Sequence, residues 1–211
     1  IPDSVTSIGD FAFYQCTSLT SITIPDSVTS IGEHAFFWCS SLTSITIGNG
    51  VTSIGEHAFY NCQNIEQVYI TDLAAWCEID FTDYISNPLY FAKNLYLNDK
   101  LVTELEIPDG ITKINSHTFY GCKSLASITI PDSVTSIGYS AFRDCASLTS
   151  LAIPDSVISI GDSAFSGCDS LTTITIPDSV TSVGTNSFAG CSGITTIINN
   201  SDLTIGFGGV S

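Results

Sequence analysis

Eight cysteines and three histidines are the residues of this 211-residue chain best suited to chemistry. An even set of thiols can form disulfides in an oxidising compartment, and thiolates or imidazoles can hold zinc. Spacing decides between these uses. Cys16, Cys39, Cys62, Cys122, Cys145, Cys168 and Cys191 recur on a 23-residue beat with one wider gap, and Cys77 stands off the series. No pair has the short separation of zinc-ligand cysteines. Side chains stacked in register point the same way, which does not suit the disulfide torsion near about ±90°. The expectation is buried free thiols that fill space as small apolar groups, with bridges between alternate coils as the other reading.

His34, His57 and His117 share one register, and the first two stand beside Glu33 and Glu56. That places either a surface metal site or, as we expect, exposed polar residues on an outer face. Asp3, Asp26, Asp109, Asp132, Asp155 and Asp178 recur at one turn. Stacked about 5 Å apart they repel by roughly 0.8 kcal/mol per pair in bulk water, which a turn tolerates. The expectation is turn chemistry, with calcium along that edge as the alternative. For catalysis the sequence holds no GxSxG elbow, phosphate loop or HExxH. The glycine-rich Gly206–Gly209 stretch has no following helix to hold a phosphate, and no carboxylate pair is singled out for glycoside hydrolysis. We therefore expect no enzyme and no cofactor.

Five basic residues against 21 acidic ones give a formal net charge of −16. Such a chain repels nucleic-acid phosphates and anionic membranes alike. Charged residues are only 12%, so solubility falls largely to Ser, Thr and Asn, with the acidic excess opposing self-association. We expect a monomer. No apolar run approaches the roughly 18 residues of a membrane helix, and no export signal leads the chain. It starts in mid-repeat and contains no Met, which reads as a piece of a longer protein.

What positions all these residues is the period itself. "IPDSVTSIG" stands at Ile1–Gly9, Ile24–Gly32 and Ile130–Gly138, with near copies at Ile153–Gly161 and Ile176–Gly184. The beat divides the chain into a partial repeat 1–18, regular repeats 19–41 and 42–64, and an irregular 37-residue repeat 65–101. Regular repeats 102–124, 125–147, 148–170 and 171–193 follow, then a degenerate terminal repeat 194–211. In the unit 19–41, "LTSITI" alternates Leu19, Ile22 and Ile24 inward with Ser21 and Thr23 outward, the pattern of a strand. Pro25 suits a strand end and Asp26-Ser27 a turn. "VTSI" is a second extended piece. Gly32 occupies a position that is Asn115 in one unit and Gly in the others, which predicts a left-handed turn there. "EHAFFWC" is long enough for one helical turn, with Ala35 and Phe36 inward. A single unit cannot bury enough apolar surface to offset its ordering entropy, so units must stack.

LxxIxI followed by PxxVxxIGxxAFxxC closely resembles the BspA-like class of 23-residue leucine-rich repeats, over nearly the whole chain. The resemblance implies a β-rich (α/β) solenoid: a right-handed superhelix of parallel β-strand ladders and short one-turn helices, forming a curved rod. It further implies an extracellular or cell-surface setting and use in adhesion and protein recognition, without one defined ligand. We expect a non-catalytic interaction scaffold for a protein or glycoprotein ligand. The alternative is a structural spacer for a catalytic or carbohydrate-binding domain of a larger secreted protein.

Residues 71–101 break the beat. Asp72 can N-cap a helix over Leu73–Glu78 with Leu73 and Trp76 buried, "NPL" at Asn87–Leu89 reads as a turn, and Asn98-Asp99 closes a hairpin. Tyr84, Tyr90, Phe91 and Tyr96 concentrate here. The segment is either an irregular repeat with its own small core or a recognition bulge, since solenoid insertions often carry binding loops. On the strand face the polar columns change character at Gln67, Tyr69, Glu104 and Glu106. With Tyr84, Tyr90 and Tyr96, these are the candidate partner-binding residues.

Overall fold

A computed structural model describes residues 1–203. Gly206–Gly209 and the end of the terminal repeat lie outside the described residues. The chain packs as two compact units, Ile1–Val102 and Thr103–Ser211. Each is a parallel-strand β-solenoid.

In unit 1 the chain runs through β1 (Ser7–Ile8), β2 (Ser21–Thr23), β3 (Ser30–Ile31), β4 (Ser44–Thr46), β5 (Ser53–Ile54) and β6 (Gln67–Ile70). It continues through α1 (Leu73–Glu78), β7 (Asp80–Phe81), α2 (Leu89–Ala92), β8 (Leu95–Leu97) and β9 (Lys100–Leu101). Unit 2 holds β10 (Glu104–Glu106), β11 (Lys113–Ile114), β12 (Ser127–Thr129), β13 (Ser136–Ile137) and β14 (Ser150–Ala152). After these come β15 (Ser159–Ile160), β16 (Thr173–Ile176), β17 (Ser182–Val183) and β18 (Thr196–Asn199). Unit 1 has two ladders, β1-β3-β5-β7 and β2-β4-β6-β8-β9; unit 2 has β11-β13-β15-β17, β10-β12-β14 and β16-β18. Equivalent residues of successive coils pair, as Ile22 with Ile45 and Ile137 with Ile160.

The polar residues between the strands bind the next coil. Within one coil the PDSV letters close a turn, the Val28 N–H donating to the Pro25 carbonyl at 3.0–3.1 Å as Val5 does to Pro2. Ser27 Oγ then donates to the Val5 carbonyl of the preceding coil (2.7 Å), and Ser156 and Ser179 repeat the bond. Thr29, Thr52, Thr135 and Thr181 hydroxyls do the same one position on. One residue of the Asp column adds to this: Asp26 Oδ1 accepts the Asn49 N–H of the following coil at 2.8 Å.

Phenylalanine rings form the central column, with Phe36 on Phe59 at 5.2 Å and 2°, and Phe142 on Phe165 at 5.4 Å and 1°. Beside them the cysteines are free thiols, buried except for the half-buried Cys16. Five of the six buried thiols of the column bind the preceding coil as well as filling space. Cys62 Sγ donates to the Phe36 carbonyl at 3.0 Å, and Cys39, Cys145, Cys168 and Cys191 make the equivalent bond.

Two local expectations are corrected. The recurrent glycine does not adopt positive φ. It is required because adjacent backbones touch there: a Cβ on Gly55 would stand 2.7 Å from Glu33 N and 2.8 Å from Gly32 C, and one on Gly138 2.7 Å from Ser116 N. Gly9, in the first coil of unit 1, meets nothing within 4 Å. Asn115 is likewise in the first coil of its ladder, which accounts for the one departure from glycine.

Positive φ falls instead two and six residues further on, at His34 (φ 53°) and Trp38 (φ 61°) in one coil and Ser140 and Asp144 in another. There the one-turn helix gives way to linked turns. The N–H groups of His34, Phe36 and Trp38 donate to Glu56, Ala58 and Tyr60 of the next coil, while Phe37 and Cys39 close turns onto His34 and Phe36. Alternate donors leave the segment, so a continuous helix cannot form.

Helices occur in the irregular repeat. Asp72 caps α1, its Oδ1 accepting from Ala74 and Ala75, and Leu73, Trp76 and Cys77 are buried. The expected turn at Asn87–Leu89 leads directly into α2, with Asn87 Oδ1 accepting the Leu89 N–H. Both ladders cross this repeat with partners 27 residues on, Ser53 to Asp80 and Val68 to Leu95. The remaining residues return as the β8–β9 hairpin, its corner at Asn98 (φ 50°) and Asp99 (φ 62°) as a left-handed two-residue turn requires.

Overpacking a rigid backbone contact costs about 1–3 kcal/mol. Gly55→Ala should therefore destabilise unit 1 by that order in urea denaturation, whereas Gly9→Ala should stay within about 0.5 kcal/mol. Burial pushes Cys77 up from its ordinary 9.0 to about 12, with Glu78 and Asp72 adding, and burial also holds Cys145 well up. The unfolded forms of these two thiols then ionise first, so the stability they contribute is full below about pH 9 and is lost as pH rises toward about 12. Iodoacetamide at mildly alkaline pH should label Cys16 at most in the folded chain and all eight thiols in guanidinium.

Candidate functional site

The candidate residues of the strand face divide between the units. Gln67 and Tyr69 lie half-buried on β6 of unit 1; Glu104 and Glu106 are exposed on β10 of unit 2. The expected columns, Gln67 to Glu104 and Tyr69 to Glu106, are not what the ladder builds. Tyr69 pairs with Tyr96 of β8, their rings 4.9 Å apart, and β9 takes the next place. Glu104 and Glu106 pair with Ser127 and Thr129. The hairpin carries its own strand, and that strand claims the position beside β6.

A second group gathers around α2. Tyr84 is 41% exposed, and Tyr90, Phe91 and Tyr96 are half-buried. Tyr90 is met edge-on by Tyr84 at 5.1 Å and by Phe91 at 4.8 Å, while Lys93 Nζ lies 5.8 Å from its ring centre and donates to the Tyr90 carbonyl. Tyr84 and Tyr90 thus brace one another, the first exposed and the second half-buried, while Tyr96 is braced by Tyr69.

The histidine column differs from expectation. His117 is buried, and His34 and His57 are half-buried: in unit 1 this register lays ring on ring from coil to coil, and in unit 2 His117 packs edge-on to Tyr139. Phe11 lies on His34 at 5.0 Å and 6°, and His34 lies 5.4 Å from His57. His34 Nδ1 is buried without a hydrogen-bond partner; its ring serves as an aromatic plate. His57 has another role. Its Nδ1 is 3.4 Å from Glu56 Oε1, its Nε2 is 3.7 Å from Asp83 Oδ2, and its N–H donates to the same Asp83 oxygen at 3.1 Å. Among the described residues, Glu56, His57 and Asp83 form the group of three ligand types able to hold a metal ion. The two imidazole nitrogens face different carboxylates, so His57 and Asp83 together tie the irregular repeat to the preceding coil. Asp83 also accepts the Ser86 N–H at 2.6 Å. The Asp column gathers no comparable group among the described residues.

Sequence reasoning missed an exposed aromatic surface on the turn segments of unit 1. Phe11, Tyr14, Trp38 and Tyr60 are exposed. Phe37 stacks between Tyr14 at 5.4 Å and Tyr60 at 4.9 Å. The available signal was compositional: after His117 and Tyr120 in its first coil, the same positions in unit 2 hold Ser140, Arg143, Asp144, Ser163, Ser166 and Gly167.

The sequence profile of the BspA-type leucine-rich repeat region matches in six copies over residues 1–78 and 90–206. No curated protein matches the chain. Among solved structures, the pneumococcal vaccine antigen PcpA superposes with a TM-score of 0.66 at 20% identity, over 96% of this chain and 56% of that one. A leucine-rich repeat protein from Eubacterium ventriosum superposes with a TM-score of 0.57 at 25% identity, over 91% and 63%. The chain spans less than two thirds of either.

Replacing Asp83 by Ala leaves the His57 and Ser86 N–H groups without their carboxylate. The variant should lose about 1–3 kcal/mol in urea denaturation, and Asp83→Asn less, because the amide oxygen still accepts.

Proposed function

The chain belongs to the BspA-type leucine-rich repeat family, and on that premise we propose that it is a non-catalytic scaffold, extracellular or cell-surface, that grips a protein or glycoprotein partner in adhesion. The repeat architecture supports this reading, because stacked coils offer an extended patterned surface rather than one enclosed hollow. Family membership supports the surface setting. No helix among the described residues is long and apolar enough to cross a membrane.

The observation that carries the proposal is the irregular repeat of unit 1. It interrupts the monotony of Ser and Thr columns with Tyr84 exposed and Tyr90 and Tyr96 half-buried, each braced by another ring. Pre-positioned tyrosines supply large contact area at low entropic cost, which is why they dominate binding hot spots. Gln67 and Tyr69 extend the contact along β6. On unit 2, Glu104 and Glu106 present paired acidic side chains suited to a basic partner surface.

A pull-down from host and microbial extracts, followed by affinity measurement on the captured protein, tests this. Tyr84→Ala with Tyr90→Ala should weaken capture at least tenfold, since each buried aromatic anchor contributes about 2 kcal/mol. Tyr69→Ala with Glu106→Ala should weaken it as well. Unchanged capture by both double variants would overturn the contact and favour a spacer role.

A further inference from the structure

Trp38 stands where the repeat does not favour a large side chain. Its column reads Gln15, Trp38, Asn61, Gly121, Asp144, Gly167 and Gly190, and every member has positive φ, between 56° and 75°. In five of the seven this N–H donates to the next coil, among them Gln15 to Phe37, Trp38 to Tyr60 and Asp144 to Ser166, each at 2.8 Å. Gly, Asn and Asp tolerate such a backbone and a bulky aromatic does not. Burial does not offset the strain, because Trp38 is 46% exposed. An exposed indole held in a strained conformation points to use rather than stability.

The surroundings indicate the use. Trp38, Thr17, Ser40, Asn61, Gln63 and Asn64 line a cleft of about 470 Å³, within the range of about 300–1,000 Å³ typical of small-molecule sites. The lining carries no charge, although the chain has 21 acidic residues. The same columns in unit 2 bring in Lys123, Asp144 and Asp169. Gln63 Nε2 donates to Asn61 Oδ1 at 3.3 Å, and Asn64 Nδ2 donates to the Ser40 carbonyl at 2.7 Å. Those bonds set the amides and leave the Asn61 NH2, the Gln63 Oε1 and the Asn64 Oδ1 uncommitted. An apolar aromatic plate edged by neutral groups that both donate and accept matches a ring with a C–H face and a rim of hydroxyls.

We propose that this cleft binds a neutral saccharide, its C–H face on the Trp38 indole and its hydroxyls on the side-chain amides of Asn61, Gln63 and Asn64. Phe37, 6.3 Å from the indole, backs the plate. The site lies on the turn segments, apart from the tyrosines of the irregular repeat, so it stands or falls independently of the protein contact proposed above.

The other tryptophan, Trp76, is 1% exposed, so a saccharide-induced change in intrinsic fluorescence reports Trp38. Glucose, galactose, N-acetylglucosamine, lactose and cellobiose, titrated into the millimolar range, should include at least one sugar giving a saturable blue shift. By calorimetry, Gln63→Ala and Asn64→Ala should each bind that sugar at least fivefold more weakly, and Trp38→Asn should not bind it. Trp38→Asn installs the residue type that Asn61 supplies one coil on, so its Tm should match or exceed the original. The proposal is overturned if no sugar in the panel saturates, if Trp38→Asn binds undiminished, or if that variant melts markedly lower, which would make the indole a packing element.

Discussion

The hydrogen bond from one coil to the same position of the next is the constraint on which the remaining structure depends. Each coil is too small to hold itself together, and the ladders join it to neighbours of nearly identical sequence. Like therefore lies on like. Phenylalanine stacks on phenylalanine almost parallel, and Ser, Thr and Cys side chains find carbonyls one coil below. The abundance of hydroxyl residues serves cohesion as well as solubility. Ser27, Ser133, Ser156 and Ser179, and likewise Thr29, Thr52, Thr135 and Thr181, each add a bond to a carbonyl that a stacked backbone leaves available.

The same constraint limits what the chain can vary. Glycine recurs where two backbones approach closely, and it is relaxed at Gly9 and Asn115, the first coils of their ladders. Left-handed residues recur in two columns of the turn segments; the later coils of unit 2 place Gly, Asn, Asp or Ser at both, whereas unit 1 holds Phe11, His34 and His57 in one and Gln15 and Trp38 in the other. Departures from these rules are informative because the ladder gives them no structural benefit. Trp38 is one. The irregular repeat is another: it satisfies both ladders with a longer coil and then closes the wide one with an antiparallel hairpin.

Both departures fall in unit 1, and both expose aromatic rings. They offer different chemistry. Tyr84, Tyr90 and Phe91 near α2 are braced against one another, whereas Trp38 stands over a compact uncharged cleft edged by amides. Unit 2 is more regular, and its distinguishing feature on the strand face is the exposed acidic pair on β10.

The sequence by itself determined the period, the strands, the phenylalanine and cysteine columns, the α1 cap at Asp72 and the hairpin corner at Asn98-Asp99. All of these follow from local residue chemistry or from which residues share a column. Three matters were left to the tertiary structure. The spacing between backbones explains Gly32 and Gly55, and no single coil contains it. The sign of φ at His34 and Trp38 is set by an acceptor in another coil, so it cannot be read from neighbouring letters. The ladder partner of Tyr69 is Tyr96 rather than Glu106 because the insertion brings its own strand, and periodicity counts residues without knowing which of two strands reaches the edge first.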